Sequence, residues 1–149
     1  MRELIAKLES AGAGSRELGH EVLLHFGWHR SHYGHFYGPL YQWSAPDRKP
    51  CLIQGDEDKL PNPTTSLDAA LALAERVLPG WYPAVEPRFF IDGEVVRWKA
   101  TVIRPLWHQY TPISDWFERV ENRTAATAAL AVCAAILRTT EQHSSEERA

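Results

Sequence analysis

The sequence predicts a mixed α/β (α+β) fold, with an antiparallel β-sheet between helices in a three-layer α-β-α sandwich. Apolar residues recur at helical spacing near both ends and in the middle of the chain, and strand-like alternation around a tight-turn dipeptide follows the middle helix. With 149 residues, 44% of them hydrophobic and 23% charged, the chain has the size and composition of one globular domain. We assign residues 1–140 to this domain and the charged residues 141–149, which lack apolar anchors, to a mobile C-terminal tail.

Two short helices are predicted at the start of the chain. The first has three apolar residues at helical spacing, which are Leu4, Ile5 and Leu8. Small residues from Gly12 to Gly14 then break the pattern, and Ser15 can cap a second helix that begins at Arg16. Gly27 has the position and identity of a residue that ends a helix in the left-handed conformation.

The next segment, from Trp28 to Trp43, is rich in aromatic residues and in histidine, with the sequence WHRSHYGHFYGPLYQW. Glycine and proline interrupt it, so we predict one or two short irregular strands with loop-like, exposed backbone between them. Residues 45–62 are mostly polar and are predicted to form a loop around at most one edge strand.

The middle helix has the clearest start and stop signals in the chain. Thr65 or Ser66 can act as its cap, an acidic residue follows in the first turn, and Pro79 with the next glycine ends it. Its apolar stripe consists of Leu67, Ala70, Leu71, Ala74, Val77 and Leu78. The stripe places Leu71 in the core, where an aspartate would be strongly destabilising.

A β-hairpin is predicted after the middle helix, with Asp92-Gly93 as its two-residue turn. In that register Phe89 lies opposite Val96 and Phe90 lies opposite Val95. The face expected to meet the helices carries Phe89, Val96, Trp98, Ala100 and Val102. The other face, which carries Arg88, Arg97, Lys99 and Thr101, is expected to be partly solvated or covered by the aromatic segment.

The C-terminal third combines one ambiguous stretch with one clear helix. Residues 106–113 are compatible with a third strand, and residues 114–123 fit either a short helical turn or a loop. From Thr124 to Leu137 the chain has no charged side chain, and its apolar and alanine residues recur at helical spacing. This pattern is typical of a buried packing helix that begins at Thr124.

Three blocks of the chain, taken in order, resemble one known family. They are SRELGHEVLLHFGW near the start, SLDAALALAERVLPGW in the middle and TAATAALAVCAAILR near the end, and they resemble the phage ABA-sandwich domain family of small phage and prophage proteins. The resemblance implies a helix–sheet–helix layered fold and a phage or prophage origin. It carries no catalytic motif, and residues 28–63 and 105–122 are longer and more aromatic than that family's pattern, so no ligand is carried over.

Composition and charge restrict the classes of function. A net charge of −3 and a pI of about 6.1 argue against a sequence-independent nucleic-acid binder, because such proteins gather basic residues to neutralise phosphates. The chain lacks the long apolar run of a membrane span and the pattern of a signal peptide, so we expect a cytoplasmic protein, and the resemblance to the phage family implies the host bacterial cytosol. Its two cysteines form no Cys-x-x-Cys motif, and Cys133 is expected to be a buried thiol.

Catalytic and metal sites are not predicted. His25, His29 and His32 have a spacing that could bind zinc on a helix, but Gly27 is expected to end the helix between the first two. The acidic residues lie mostly in polar loops, and no nucleophile or phosphate-loop motif accompanies them. We therefore expect no metal, no cofactor and no enzymatic activity.

The aromatic, arginine and histidine content favours a binding function, because tyrosine, tryptophan and arginine are enriched at binding hot spots. The candidate binding residues are Trp28, Arg30, Tyr33, Phe36, Tyr37, Arg88, Arg97 and Lys99. The expected function is that of a phage or prophage accessory protein that inhibits or modifies a host defence factor by protein–protein contact. The alternative is a binder that sequesters a nucleotide-type small molecule by stacking and arginine contacts. Homodimerisation is open in both cases.

Overall fold

The computed structural model describes residues 1–35, 38–46, 60–105 and 117–148. The elements in chain order are α1 (Arg2–Ser10), α2 (Arg16–His25), β1 (His29–His35), β2 (Gly38–Ser44), α3 (Leu67–Val77), β3 (Tyr82–Ile91), β4 (Glu94–Pro105), β5 (Phe117–Ala125) and α4 (Ala128–Glu146). Helices and antiparallel sheet pack together in a mixed α+β sandwich, which confirms the predicted fold class.

The strands form two antiparallel sheets. The larger has the strand order β3-β4-β5, and the smaller is the β1–β2 hairpin. Helix α4 packs against all three strands of the larger sheet, and α1 and α3 pack against α4. Every residue from 129 to 137 is buried, so α4 is the buried packing helix that the sequence predicts. Its many alanines permit this close approach to the sheet and to two other helices.

Helices α2, α3 and α4 each begin after a serine or threonine whose hydroxyl caps the helix. Ser15 Oγ accepts a hydrogen bond from the Leu18 N–H at 3.1 Å, which confirms the predicted cap of α2. Of the two candidates for α3, the cap is Ser66, which accepts from the Ala69 N–H. For α4 the cap is Thr127 rather than Thr124, because the chain is still in strand β5 up to Ala125.

Helix α3 is rotated relative to the stripe that the sequence predicts. Its buried residues are Ala70, Leu73 and Ala74. Leu73, which lies outside the predicted stripe, is 5% exposed, whereas Leu67 is 38% exposed and Leu71 is half-buried. The reason is that apolar residues surround most of this helix, so contact with α4 selects the buried face.

The β3–β4 hairpin has the predicted turn and, except at Phe89, the predicted register. Asp92 and Gly93 both have positive φ angles, and Phe90 pairs with Val95 as expected. Phe89, however, pairs with Arg97 instead of Val96, because a β-bulge shifts the register on both sides of Phe89. Val96 and Phe89 are consequently exposed rather than facing the helices, which corrects the predicted core face at its tip. Farther from the turn the prediction holds, since Ala100 and Val102 are buried and Trp98 is partly buried against the core.

One prediction for the C-terminal third is corrected. Part of the stretch read as a helical turn or loop is strand β5, which pairs antiparallel with β4. Helix α4 continues to Glu146, so most of the segment predicted as a mobile tail is helical. Arg2 Nε donates to Glu141 Oε1 at 3.0 Å and the His143 ring packs edge-on against Trp81, so contacts with distant residues support this last part of the helix. The predictions for residues 47–59 and 106–113 lie outside the described residues.

The segment that leads into α3, residues 60–66, packs closely against the start of α2. Thr64 Oγ1 and Asn62 Nδ2 both donate to the Ser15 carbonyl oxygen, at 2.9 and 3.0 Å. Glycines permit the approach, because a Cβ atom on Gly14 would lie 2.0 Å from the Thr64 carbonyl oxygen and one on Gly19 would lie 2.3 Å from Asn62 Oδ1. We call this contact, formed by Gly14, Ser15, Gly19, Asn62 and Thr64, the α2 latch.

Cys133 is buried, as the sequence predicts, and its thiol donates to the Pro63 carbonyl oxygen at 3.2 Å. Burial raises the pKa of this thiol to about 12. At pH 8 only roughly one thiol in 10⁴ would then be ionised, and the thiolate is the reactive form.

We expect Cys133 to resist alkylation in the native protein. In a Cys51→Ser variant, where it is the only thiol, iodoacetamide at pH 8 should label Cys133 only after guanidinium unfolds the chain. Mass spectrometry before and after unfolding measures this. Rapid labelling of the native variant would contradict the burial of Cys133.

Candidate functional site

The aromatic segment contains two regular antiparallel strands, where the sequence predicts one or two short irregular ones. Strands β1 and β2 pair residue for residue from His29 with Ser44 to His35 with Gly38. At the base of the hairpin, Trp43 is fully buried and its ring lies 4.8 Å from the His20 ring on α2. The base of the hairpin is therefore anchored in the core.

The predicted binding residues of this segment lie in different environments. Trp28 is 9% exposed, and the Arg76 guanidinium lies 5.5 Å from its ring centroid, so this candidate residue lies largely within the core. Arg30 is exposed on β1. For Tyr33 the structure describes the backbone, in β1 opposite Leu40. The predictions for Phe36 and Tyr37 lie outside the described residues.

The predicted basic face of the β3–β4 hairpin is spread out, and Arg97 on it forms hydrogen bonds within the fold. Arg97 Nη2 donates to the carbonyl oxygens of Thr124, at 2.6 Å, and Glu9, at 3.1 Å. These bonds tie β4 to β5 and to the end of α1. Arg88 is exposed and forms a 3.9 Å ion pair with Glu86, while Lys99 is only half-exposed. The structure therefore does not gather these three cations into one open anion site.

The three histidines whose spacing could suit zinc, His25, His29 and His32, are divided between two elements. His25 ends α2 and His29 begins β1, with Gly27 between them at a φ of 85°. The helical spacing that would suit zinc is thus interrupted, as the sequence predicts. Within the described residues, no three histidine, cysteine or acidic side chains are grouped closely enough to hold a metal ion.

Among the described residues, large exposed apolar side chains cluster where β3 meets β4. Phe89 is 58%, Phe90 59% and Ile91 63% exposed, and Val96 on β4 is 39% exposed. We call these four residues the apolar tip. The bulge at Phe89 and the two positive-φ turn residues twist the end of the hairpin, so that side chains on both faces of the strands are left in solvent.

The strand alternation predicts Phe89 and Val96 in the core, although the sequence also contains a signal for exposure. A half-buried strand alternates apolar and polar residues, and three consecutive large apolar residues before a tight turn cannot all point to one side. The run Phe89, Phe90, Ile91 followed by Asp92-Gly93 therefore indicates that at least one large side chain faces away from the helices.

Acidic residues flank the turn at the apolar tip, and prolines in strand β3 hinder its pairing with another strand. Asp92 and Glu94 are exposed at the turn. Strand β3 lies at the edge of its sheet, and Pro83 and Pro87 interrupt its row of backbone donors. Prolines on an edge strand oppose pairing with another strand, so the surface best suited to contact is the tip itself.

A second candidate site is a cavity of about 270 Å³ beside the α2 latch. Its walls are formed by residues Arg16, Gly19, His20 and Leu23 of α2 and by residues Leu60, Pro61, Asn62 and Thr65 of the segment before α3. The α2 residues follow helical spacing and line one face of that helix. No sequence pattern predicts this site, because its two walls are far apart in the chain.

Comparison with known proteins gives no relative for this chain: no protein family, curated protein or solved structure matches it. In the described part of the chain, none of the helices combines the length and apolar character that a bilayer crossing requires.

Proposed function

We propose that this protein is a non-catalytic binding protein that docks on a partner protein through the apolar tip. The observation that carries the proposal is the run of three large apolar side chains, Phe89, Phe90 and Ile91, each more than half exposed at the end of one hairpin. Contiguous exposed apolar surface of this kind typically marks an interaction site, and buried aromatic anchors supply much of the affinity at protein interfaces.

The charges around the tip favour a protein partner over a lipid surface. The turn residues Asp92 and Glu94 are acidic, and the nearest basic residue on β3, Arg88, is paired with Glu86. Bacterial and other anionic membrane surfaces attract lysine and arginine and repel carboxylates. An apolar pocket with a basic rim on a folded protein complements both the rings and the charges of this tip.

The identity of the partner is proposed from the resemblance to the phage ABA-sandwich domain family. A phage or prophage accessory protein acts in the cytosol of the host bacterium, and we propose a host protein, such as a defence factor, as the target that it inhibits or modifies. A tip that enters a pocket on such a factor could block it by occupying the surface that the factor's own ligand needs.

Photo-crosslinking from the tip tests this proposal in cells. We expect Phe90 replaced by p-benzoyl-phenylalanine to form a covalent adduct with one host protein, which mass spectrometry identifies. The matched control places the same amino acid at Leu67, an exposed apolar position on α3, where that adduct should be missing.

The purified partner then allows a quantitative test. Phe89→Ser combined with Phe90→Ser should raise the Kd measured by calorimetry roughly 30-fold or more, corresponding to about 2 kcal/mol for the loss of two aromatic anchors. The melting temperature should change little, because both rings are already in solvent. Equal crosslinking from positions 90 and 67, or an unchanged Kd, would contradict the proposal. Adducts formed only with a second copy of the chain would show that the tip is a homodimer contact instead.

A further inference from the structure

The cavity beside the α2 latch has the dimensions of a small-molecule site. Its volume is about 270 Å³. It is only slightly smaller than the ~300 Å³ at which pockets for drug-sized ligands begin. A ligand larger than a single inorganic ion therefore fits.

The wall next to α3 is held in place before any ligand binds. Asn62 Oδ1 accepts a hydrogen bond from the Thr64 N–H at 3.0 Å, and Asn62 Nδ2 donates to the Ser15 carbonyl oxygen. The Thr64 hydroxyl, with its single hydrogen, lies between Asn62 Oδ1 at 2.7 Å and the Ser15 carbonyl oxygen at 2.9 Å. Thr64 is itself fully buried. A wall fixed by these bonds does not need to be ordered by the ligand, which favours affinity.

The opposite wall carries a guanidinium and an imidazole, and the exposed Glu17 carboxylate beside them interacts electrostatically with both. Arg16 and His20 lie one helical turn apart on the same face of α2, and the His20 ring packs against the buried Trp43 ring. No carboxylate is among the described residues that line the cavity. Leu23 and Leu60 provide apolar surface beside these groups.

We propose that this cavity binds a small organic anion, a phosphate monoester or a carboxylate with a compact, partly apolar body. Arg16 and His20 meet the anionic group, since a guanidinium matches the paired oxygens of phosphate and carboxylate groups. The body of the ligand lies against Leu23 and Leu60, and the hydroxyl of Thr65 offers a further polar contact. The site is distinct from the apolar tip in sequence and in chemistry.

Titration of the full-length ¹⁵N-labelled protein with defined probes tests the proposal. The probes are adenosine monophosphate, benzoate, inorganic phosphate and adenosine. We expect adenosine monophosphate or benzoate to shift amide resonances of residues 16–23 and 60–65, with much weaker effects from phosphate, which lacks the body, and from adenosine, which lacks the charge. A response to the nucleotide alone assigns a phosphate monoester, and a response to benzoate alone assigns a carboxylate.

Matched variants locate the binding. Arg16→Gln should raise the Kd of the active probe at least about tenfold, as expected when a charge-assisted hydrogen bond is lost. Arg2→Gln makes the same change of charge at an arginine outside the cavity that is 91% exposed, and should leave the Kd unchanged. Circular dichroism and melting temperature establish that both variants fold.

Three results would overturn the proposal. These are no localised shifts with any probe at millimolar concentration, equal shifts with inorganic phosphate and the organic anions, or equal losses in the two arginine variants. The Phe89→Ser, Phe90→Ser variant should bind the active probe normally, so failure of the tip proposal and failure of the cavity proposal give different results.

Discussion

Replacing Leu73 by aspartate is expected to unfold the protein or to lower its free energy of unfolding by about 4 kcal/mol or more. Leu73 is 5% exposed, on the face of α3 that packs against α4. The substitution removes the burial of a leucine side chain, which contributes about 1.5–3 kcal/mol, and places an unpaired carboxylate in an apolar environment, which adds a further penalty. Guanidinium denaturation followed by tryptophan fluorescence measures the loss.

Two other positions on α3 serve as controls for the orientation of this helix. Leu67→Asp should change stability by no more than about 0.5 kcal/mol, because this side chain is exposed and an acidic residue at the first helical position suits the helix dipole. Leu71→Asp should have an intermediate effect, since Leu71 is half-buried. If Leu67→Asp or Leu71→Asp were the most destabilising of the three, the stripe predicted from sequence would be right and the packed face described by the structure would be wrong.

Gly14→Ala should destabilise the protein by about 2–3 kcal/mol, a large effect for the addition of one methyl group. The new Cβ would lie 2.0 Å from the carbonyl oxygen and 2.4 Å from the carbonyl carbon of Thr64. Both are backbone atoms of a buried residue, so the segment would have to move away from α2. That movement would weaken the two hydrogen bonds that Thr64 and Asn62 donate to Ser15.

Gly12→Ala provides the matched control two residues earlier. A Cβ atom at Gly12 would meet nothing within 4 Å. Its substitution should be neutral or should stabilise the protein by up to about 1 kcal/mol, because alanine restricts the unfolded chain more than glycine does. Urea denaturation midpoints of the two variants measure the difference. Equal midpoints would mean that the α2 latch is looser than the structure shows.

The α2 latch also links stability to the cavity. Ser15, Asn62 and Thr64 hold the wall against which the proposed ligand lies, so Gly14→Ala should disturb the cavity as well as the fold. The apolar tip has no such link, because its side chains contribute little to the core. Variants of the tip should therefore separate binding from stability more cleanly than variants of the cavity wall.

Sequence by itself determined the features that depend on residues close together in the chain. Ser15 caps α2 because a hydroxyl lies three residues before the backbone N–H that it accepts from, and Gly27 ends the helix because glycine adopts a positive φ without steric cost. Asp92-Gly93 makes the hairpin turn for the same local reason. The run without charged residues before Leu137 identified α4 as a buried helix.

Tertiary structure alone decided the features that depend on residues far apart. Contact with α4 selects Leu73 rather than Leu67 as the buried leucine of α3, and pairing with β4 makes a strand of residues that are ambiguous in isolation. At the end of the β3–β4 hairpin the pairing is irregular around Phe89, and the consecutive residues Phe89, Phe90 and Ile91 are all exposed, which strand alternation by itself does not predict. Arg16 and Asn62 line the same cavity although they are far apart in the chain. Long-range packing brings them together, and no local pattern of residues predicts it.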